Sequence, residues 1–187
     1  MPVDELWYLA DRASQRAEQA YHRLDRRYAD FLEFEQHRSV SRRRFRELSE
    51  RVNRSGAPFG AHTIVYRPSN EILLVRHDGV GLWVLPGGGV EDEESYRETA
   101  ERELQEEAGI EAKYDGLAML SRVTFSWEDH EAWGVLPVFA AVAEETTPSV
   151  DDPEGEITEA RWFKDLPDDT RDRQWINRWR KRALRNA

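Results

Sequence analysis

The sequence contains no cysteine, only three lysines and no long uncharged apolar segment. Without cysteine, the chain cannot form disulfide bonds, a cysteine-bound zinc site or a catalytic thiolate. The longest uncharged apolar run, residues 132–143, is too short to span a bilayer and contains Pro137. Residues 1–4 lack the basic and apolar regions of a secretion signal, so we expect a cytoplasmic protein that makes no membrane contact.

Acidic residues outnumber basic ones, and the net charge of −10 is unevenly distributed. Residues 1–57 have 12 basic and 10 acidic residues (net +2), residues 58–169 have 8 and 26 (net −18), and residues 170–187 have 7 and 1 (net +6). A central segment this acidic repels nucleic acid unless cations screen it. We therefore do not expect it to bind a nucleic-acid duplex.

Seven residues of fixed identity stand in a single register: Gly88, Glu94, Arg102, Glu103, Glu106, Glu107 and Gly109. Within this stretch, Ser95 and Glu98 have the spacing of a capping box, which satisfies free amides at the start of a helix. Apolar or small residues then recur at helical spacing until Gly109, a typical helix stop. The spacing predicts a helix of about four turns that buries one apolar stripe.

Three carboxylates of this helix share one face. At about 100° per residue, Glu103, Glu106 and Glu107 fan over roughly 100° of the helix surface. Their repulsion either raises their pKa values or requires a cation between them. Oxygen ligands with little nitrogen and no sulfur nearby suit Mg²⁺ or Mn²⁺ better than zinc. The alternative is a solvated acidic helix surface, which is the usual role of a charge run.

Three consecutive glycines precede the helix and carry the other half of the candidate site: Gly87, Gly88 and Gly89. They follow a short buried strand predicted at 82–86, and they let the chain turn sharply. A backbone without side chains can approach a phosphate closely or offer a carbonyl oxygen to a metal ion. The alternative is an ordinary flexible turn, but the fixed distance to the acidic residues downstream favours a functional role.

The complete pattern from Gly88 to Ile110 resembles the signature of the Nudix hydrolases, which are MutT-like pyrophosphohydrolases. The resemblance implies these roles in this chain: divalent-ion ligands at Glu103, Glu106, Glu107 and the backbone of Gly87, a carboxylate-orienting arginine at Arg102, and a structural motif residue at Glu94. Glu106, Glu107 and Arg102 are accordingly the candidate catalytic residues of the signature.

The same resemblance implies an α/β (α+β) fold, in which a mixed sheet lies between helices in an α/β/α sandwich. Residues 58–169 are predicted to form this catalytic domain. Its apolar patterns predict strands at 60–67, 71–77, 82–85, 117–125, 133–143 and 159–163. The basic segment 170–187 is predicted to form a helix that packs on the domain.

Residues 1–57 are predicted to form a helical extension. An apolar stripe predicts a helix from Val3 to about Phe34, and a break at 37–41 precedes a second helix that Gly56 ends. An exposed stripe of this length would aggregate, so we expect it to be covered within the chain or across a homodimer. The resulting helical hairpin resembles the extension of some Nudix enzymes that act on nucleoside diphosphates linked to another group.

The Nudix resemblance implies metal-dependent hydrolysis of a diphosphate linkage in a nucleoside diphosphate derivative or a nucleoside triphosphate, by attack of water at phosphorus. Candidate nucleotide-binding residues outside the signature are Arg76, Trp83, Phe125 and Trp127. Many Nudix enzymes take their general base from a loop before the last strand, which here is the loop 146–157. Glu156 is preferred to Glu154 as this base because it lies closer to the strand that follows.

Two other functions are compatible with the sequence. A Nudix-like sensor of a nucleotide metabolite would bind without hydrolysis, whereas the complete carboxylate set favours turnover. An RNA 5′-end pyrophosphohydrolase would use the arginine run 42–44 or the basic C-terminal tail to contact phosphates. Residues 125–127 stand where Nudix subgroups carry a proline (ADP-ribose enzymes) or a tyrosine (dinucleoside polyphosphate enzymes), and neither marker is present.

Overall fold

The computed structural model describes residues 3–144 and 147–184. Over these residues the chain forms four helices and eight strands: α1 (Val3–Arg27), β1 (Leu32–Ser39), α2 (Arg42–Ser55), β2 (Ala61–Tyr66), β3 (Ile72–His77), β4 (Leu82–Val84), β5 (Gly87–Gly88), α3 (Tyr96–Ala108), β6 (Ala112–Trp127), β7 (His130–Ala143), β8 (Ile157–Phe163) and α4 (Arg173–Ala183). None of the helices in this described part is both long enough and apolar enough to cross a membrane.

The chain divides into two compact units. The first consists of the residues up to Gly60 together with 119–137, and the second of residues 61–118 and those from 138 onward. The strands form a mixed sheet in the order β1-β6-β7-β2-β3-β4, with β5 paired to β2 and β8 paired to β3. The predicted division into an N-terminal extension, a catalytic domain and a C-terminal helix stays a prediction.

The predicted apolar stripe of α1 is buried within the first unit. Its buried residues are Leu6, Ala10, Ala13, Ala17, Ala20 and Leu24. The part from Leu6 to Ala17 packs against the apolar face of α2. That helix begins at its N-cap Ser41 and ends at Gly56, which adopts the left-handed conformation (φ 88°). The predicted second helix and its stop are therefore confirmed.

The prediction that the first helix reaches Phe34 is wrong, because α1 ends earlier and a strand follows. Asp30 adopts the left-handed conformation (φ 61°), which interrupts the helical path. The strand β1 then pairs in parallel with residues 119–126 of β6. Its side chains alternate, with Phe34 buried and both neighbours exposed. The N-terminal segment is therefore helix–strand–helix and not a simple helical hairpin.

The second unit is built around β2, which pairs in parallel with β7 and antiparallel with β5. The neighbouring strand β3 pairs antiparallel with β4 and β8. Successive residues of a strand point to opposite faces. Val65 lies in the apolar cluster that includes Leu104 of α3, whereas Tyr66 packs edge-to-face on Trp179 of α4, with ring centroids 5.6 Å apart. Helices cover both faces, which confirms the predicted α/β/α sandwich.

The predicted strands of the sheet are confirmed, with shifted ends for the longest two. The strands β2, β3 and β4 fall inside their predicted ranges. In contrast, β6 begins at Ala112 and β7 begins at His130, both before the predicted starts. The two strands extend to either side of a tight turn at which Glu128 has a positive φ of 49°. Such a short connection keeps the strands in register to their tips.

Candidate active site

Both ends of α3 are fixed by local contacts. Ser95 Oγ accepts a hydrogen bond from Glu98 N at 3.3 Å, and Glu98 Oε2 accepts one from Ser95 N at 2.8 Å, which confirms the capping box. Gly109 ends the helix in the left-handed conformation (φ 59°). The helix buries a stripe of four small or apolar residues: Thr99, Ala100, Leu104 and Ala108. These anchors set the rotation of the helix and so decide which side chains face the glycine turn.

Arg102 gathers the carboxylates of the signature. Its Nε and Nη2 bind the two carboxylate oxygens of Glu94 at 2.8 and 3.1 Å. Its Nη1 donates to both Glu103 (2.8 Å) and Glu106 (3.1 Å), and Nη2 also donates to the carbonyl of Gly89 (2.9 Å). The guanidinium lowers the pKa of Glu94 to about 2. These are the contacts expected of a carboxylate-orienting arginine.

Glu107 is buried and is held by the glycine turn. The residue is 8% exposed, and its Oε2 accepts a hydrogen bond from Gly87 N at 2.9 Å. Burial raises the pKa of Glu107 to about 8, and the negative charges of Glu103 and Asp152 act in the same direction. Burial also raises the pKa of Glu103, against the effect of Arg102. A nearby cation would favour the ionised form of both carboxylates.

Two of the three glycines are required by their surroundings. A β-carbon on Gly88 would collide with the carboxylate of Glu103, and one on Gly87 would collide with strand β2, including the ring of His62. Gly89 has open space at the corresponding position. Only the first two residues of the turn therefore pack closely against their neighbours, Gly87 against β2 and Gly88 against Glu103 of α3.

The donor set fits a hard divalent cation. In residues 3–144 and 147–184, no three His, Asp or Glu side chains form a ready-made metal cluster. Glu103 and Glu106 nevertheless bind the same nitrogen of Arg102, so two carboxylates of this face already reach one cationic atom. Carboxylate oxygens of this kind suit Mg²⁺ or Mn²⁺. The residues that would hold the ion are Glu103, Glu106, Glu107 and the backbone of Gly87.

The loop before β8 is anchored to the C-terminal end of α3. Thr146, where the predicted loop begins, lies outside the described residues. Ser149 N donates to the carbonyl of Ala108 at 2.8 Å, and Asp151 N donates to the carbonyl of Glu106 at 3.1 Å. The loop therefore shares backbone contacts with the helix that carries the acidic face.

Asp152 organises the rest of this loop. Its carboxylate accepts hydrogen bonds from three backbone amides: Glu154 (3.0 Å), Glu156 (2.6 Å) and Ile157 (2.8 Å). The side chain of Glu156 pairs with His77 at 3.2 Å. Glu154, in contrast, is among the charges that raise the pKa of Glu103. Glu154 is therefore a loop glutamate whose charge acts on the signature, and the predicted catalytic role of Glu156 stays a prediction.

Arg76 and Trp83 lie together in the second unit, but both side chains already have partners. Arg76 binds Asp169 at 2.6 Å and lies over the ring of Trp83 at 5.7 Å. Trp83 is only 9% exposed and packs edge-to-face on Phe163, with ring centroids 4.8 Å apart. Trp83 therefore has little free ring surface for a base, and Arg76 is the more accessible of the two.

The prediction that Phe125 stacks on a nucleobase is wrong. Phe125 is completely buried in the first unit, where its ring packs on Phe45 with centroids 5.6 Å apart. Trp127 is half-buried in the same unit and already stacks on His130 at 5.3 Å. Phe125 and Trp127 have these partners because both β6 side chains pack in the apolar cluster formed with α1 and α2.

His62 is a residue near the turn that the sequence patterns did not identify. It pairs with Gly87 across β2 and β5. Its Nδ1 is shielded from solvent and has no hydrogen-bond partner among the described residues. Burial lowers its pKa to about 4, and the positive charge of Arg171 acts in the same direction. A single histidine in a strand gives no sequence signal, because only the folded turn creates these surroundings.

Comparison with known proteins agrees with the signature. The family model described as the NUDIX domain matches residues 57–180. The Bacillus subtilis protein named "Putative 8-oxo-dGTP diphosphatase" is 40% identical over 88 residues, which cover 46% of this chain and 59% of that protein. An RNA pyrophosphohydrolase of Cereibacter sphaeroides is 39% identical over 62 residues, covering 27% of this chain and 38% of the relative. The chain thus spans less than two thirds of the length of these relatives.

A solved structure gives independent support for the fold. A NUDIX-family hydrolase from Clostridium perfringens aligns with a TM-score of 0.51 at 17% sequence identity, covering 67% of this chain and 95% of that one. At this identity the likeness concerns the fold alone. The family model, however, covers well over half of the chain and includes the whole signature. This chain therefore belongs to the Nudix family.

Proposed function

We propose that this chain is a metal-dependent pyrophosphohydrolase that cleaves a diphosphate linkage in a nucleoside diphosphate derivative or a nucleoside triphosphate. The observation that carries the proposal is the convergence of Glu103 and Glu106 on one cationic atom, next to the glycine turn that binds Glu107. The name of the Bacillus subtilis relative, "Putative 8-oxo-dGTP diphosphatase", supports the same class of reaction.

The chemistry follows from the placement of these groups. When bound, Mg²⁺ or Mn²⁺ supplies positive charge that neutralises the diphosphate and favours attack by water. Arg102 keeps the carboxylates in place, and the backbone of the glycine turn can approach the phosphate oxygens. Water attacks one phosphorus, the bond to the bridging oxygen breaks, and a loop carboxylate accepts a proton from the attacking water. The ion pair between Glu156 and His77 and the effect of the Glu154 charge on Glu103 favour Glu154 for this last role, with Glu156 as the alternative.

A substrate panel tests the proposal. The chain is incubated with nucleoside triphosphates, nucleoside diphosphate derivatives and triphosphorylated RNA, with Mg²⁺ or Mn²⁺, and the products are identified. We expect at least one substrate to be cleaved between two phosphorus atoms. Failure to cleave any substrate, together with tight binding of one of them, would support the sensor function instead.

Substitutions on α3 locate the activity at the acidic face. Glu106→Gln and Glu107→Gln should each lower kcat about a thousandfold, because each removes one charge from the metal-binding set. The matched control is Glu101→Gln on the same helix, since Glu101 pairs with Arg97 at 2.7 Å and should leave kcat nearly unchanged. Near-normal turnover by both signature variants would contradict the proposal.

The arginine run gives no added support to an RNA substrate. Arg43 and Arg44 both pair with Glu47, and Arg42 lies over the ring of Trp127 at 5.4 Å. The RNA arm of the panel therefore rests on the basic C-terminal tail and on the name of the Cereibacter relative. We also propose a cytoplasmic location, which rests on the sequence only.

A homodimer through the N-terminal helices also stays a proposal. The stripe of α1 is covered within the first unit and needs no second chain. The support that remains is a pair of exposed aromatic residues, Trp7 and Tyr8, which are 64% and 61% exposed. Mass measurement in solution before and after Trp7→Ser with Tyr8→Ser distinguishes a dimer from a monomer.

A further inference from the structure

The ring of His62 lies directly against the glycine turn. His62 and Gly87 are paired across β2 and β5, and a β-carbon on Gly87 would occupy the space of the imidazole. The amide of the same glycine donates to Glu107 at 2.9 Å. The backbone of Gly87 therefore lies between the imidazole of His62 and the carboxylate of Glu107.

The Nδ1 atom of this imidazole lacks a partner. It is shielded from solvent, and no described residue forms a hydrogen bond with it. The positive charge that acts on the ring is that of Arg171, whose guanidinium is a donor and cannot accept a hydrogen bond. Buried polar atoms are almost always paired, so this nitrogen calls for a partner that the described residues do not supply. The missing partner of Nδ1 would then belong to the molecule that binds at the glycine turn.

We propose that Nδ1 of His62 binds a neutral hydrogen-bonding group of the nucleoside, either a ribose hydroxyl or an atom of the base. This inference rests on the proposed pyrophosphohydrolase function, in which the turn holds the diphosphate. A phosphate oxygen is a poorer match for the ring, because the guanidinium of Arg171 is the stronger partner for an anion. His62 would thus set affinity for the nucleoside and not the rate of bond cleavage.

Three substitutions distinguish the hydrogen-bonding role of the His62 nitrogen from the packing role of its ring. His62→Phe keeps a planar ring over Gly87 without the nitrogen, His62→Asn places an amide near the position of Nδ1, and His62→Gln places one near Nε2. Loss of one hydrogen bond should raise KM about tenfold in His62→Phe, with kcat changed by less than about twofold. His62→Asn should return KM close to the parent value, whereas His62→Gln should not.

Altered substrates identify the atom that His62 contacts. If a ribose hydroxyl is the partner, the 2′- or 3′-deoxy substrate should lose affinity with the parent and not with His62→Phe. If the base is the partner, a base analogue should show this pattern instead. A parent-like KM in His62→Phe would overturn the inference. So would equal losses in all three variants accompanied by lower melting temperatures, which would show a packing role.

A binding measurement without turnover tests the inference about His62 independently of the proposed function. The affinity of α,β-methylene-ATP is measured in EDTA, where no hydrolysis occurs. If the parent cleaves no substrate of the panel, the proposed function fails, yet weaker binding by His62→Phe restored in His62→Asn would still support the contact. If the parent is active and both variants bind like the parent, the inference about His62 alone is overturned.

Discussion

At the scale of single residues, two adjacent glycines of the turn have different roles. Gly88 is required because a side chain there would collide with the carboxylate of Glu103, whereas Gly89 faces open space. Two identical residues in the sequence thus differ in the structure: a side chain is sterically excluded at Gly88 and tolerated at Gly89. The glutamates of the signature also differ from one another, because burial raises the pKa of Glu107 whereas Arg102 lowers that of Glu94.

The glycines provide a direct comparison. Gly88→Ala should lower kcat about a hundredfold, because displacement of Glu103 by a fraction of an ångström disturbs the metal-binding set. Gly89→Ala should remain within about threefold of the parent. Steady-state kinetics with thermal melting of both proteins check this prediction. Equal damage by the two substitutions would show that backbone freedom, and not the contact with Glu103, explains the glycines.

The pair formed by Glu94 and Arg102 predicts a dependence of stability on pH. The pKa of Glu94 is about 2 in the folded chain, below its ordinary value of 4.5. Its ionised form therefore stabilises the fold fully above about pH 5, and this stabilisation is lost as the pH falls towards 2. At pH 7, Glu94→Gln should reduce the free energy of unfolding by about 2 kcal/mol.

Urea denaturation of the parent and Glu94→Gln between pH 7 and pH 3 measures this difference. The gap between the two proteins should be constant near neutral pH and should narrow below about pH 5. Asp92→Asn, a change of an exposed acid in the same loop, serves as the control. A gap that is unchanged at pH 3 would show that the pair does not act through ionisation of Glu94.

At the scale of structural elements, α3 and the loop before β8 form the site in different ways. The helix is specified locally, by a capping box at one end and a left-handed glycine at the other. In its described residues, 147–156, the loop contains no helix or strand, and it depends on Asp152, whose carboxylate binds three backbone amides. Both elements meet where Asp151 N binds the carbonyl of Glu106.

Asp152→Ala should therefore loosen the loop without unfolding the chain. Hydrogen exchange at the amides of Glu154, Glu156 and Ile157 should accelerate about tenfold or more, because each loses a charged acceptor. Asp151→Ala is the matched control, since it removes an adjacent exposed carboxylate and keeps the backbone contact. Unchanged exchange in Asp152→Ala would contradict the assigned role of this side chain.

At the scale of the whole molecule, the chain forms two compact units that do not follow its linear order. The first unit combines the residues up to Gly60 with residues 119–137. In this unit Phe45, Leu48 and Val52 of α2 share one apolar cluster with Phe125 and Ala132. Residues of the N-terminal segment thus share an apolar cluster with residues of β6 and β7.

Deletion of residues 1–55 tests this organisation. It removes α1, β1 and α2, so Phe125 and its neighbours lose their apolar cover. We expect lower solubility or a change in oligomeric state, and a lower melting temperature, because a large apolar surface becomes exposed. Size-exclusion chromatography with mass measurement and thermal melting report these changes. A truncated chain of unchanged mass, solubility and activity would contradict the prediction.

The sequence by itself determined α3, its caps, the glycine turn and the shared face of Glu103, Glu106 and Glu107. All of these depend on residues close together in the chain, whose spacing converts directly into helix geometry. The alternating strands of the second unit were predictable for the same reason, and so was the Nudix family, because its signature is one continuous segment.

Only the tertiary structure decided which distant residues meet. The strand β1 exists through its pairing with β6, Phe125 is buried because α2 packs on it, and His62 acquires its surroundings when the glycine turn folds back on β2. Local patterns carry no record of such pairings, because the free energy of each contact depends on residues far away in the sequence. The surroundings of Phe125 and His62 were therefore settled by packing and not by spacing.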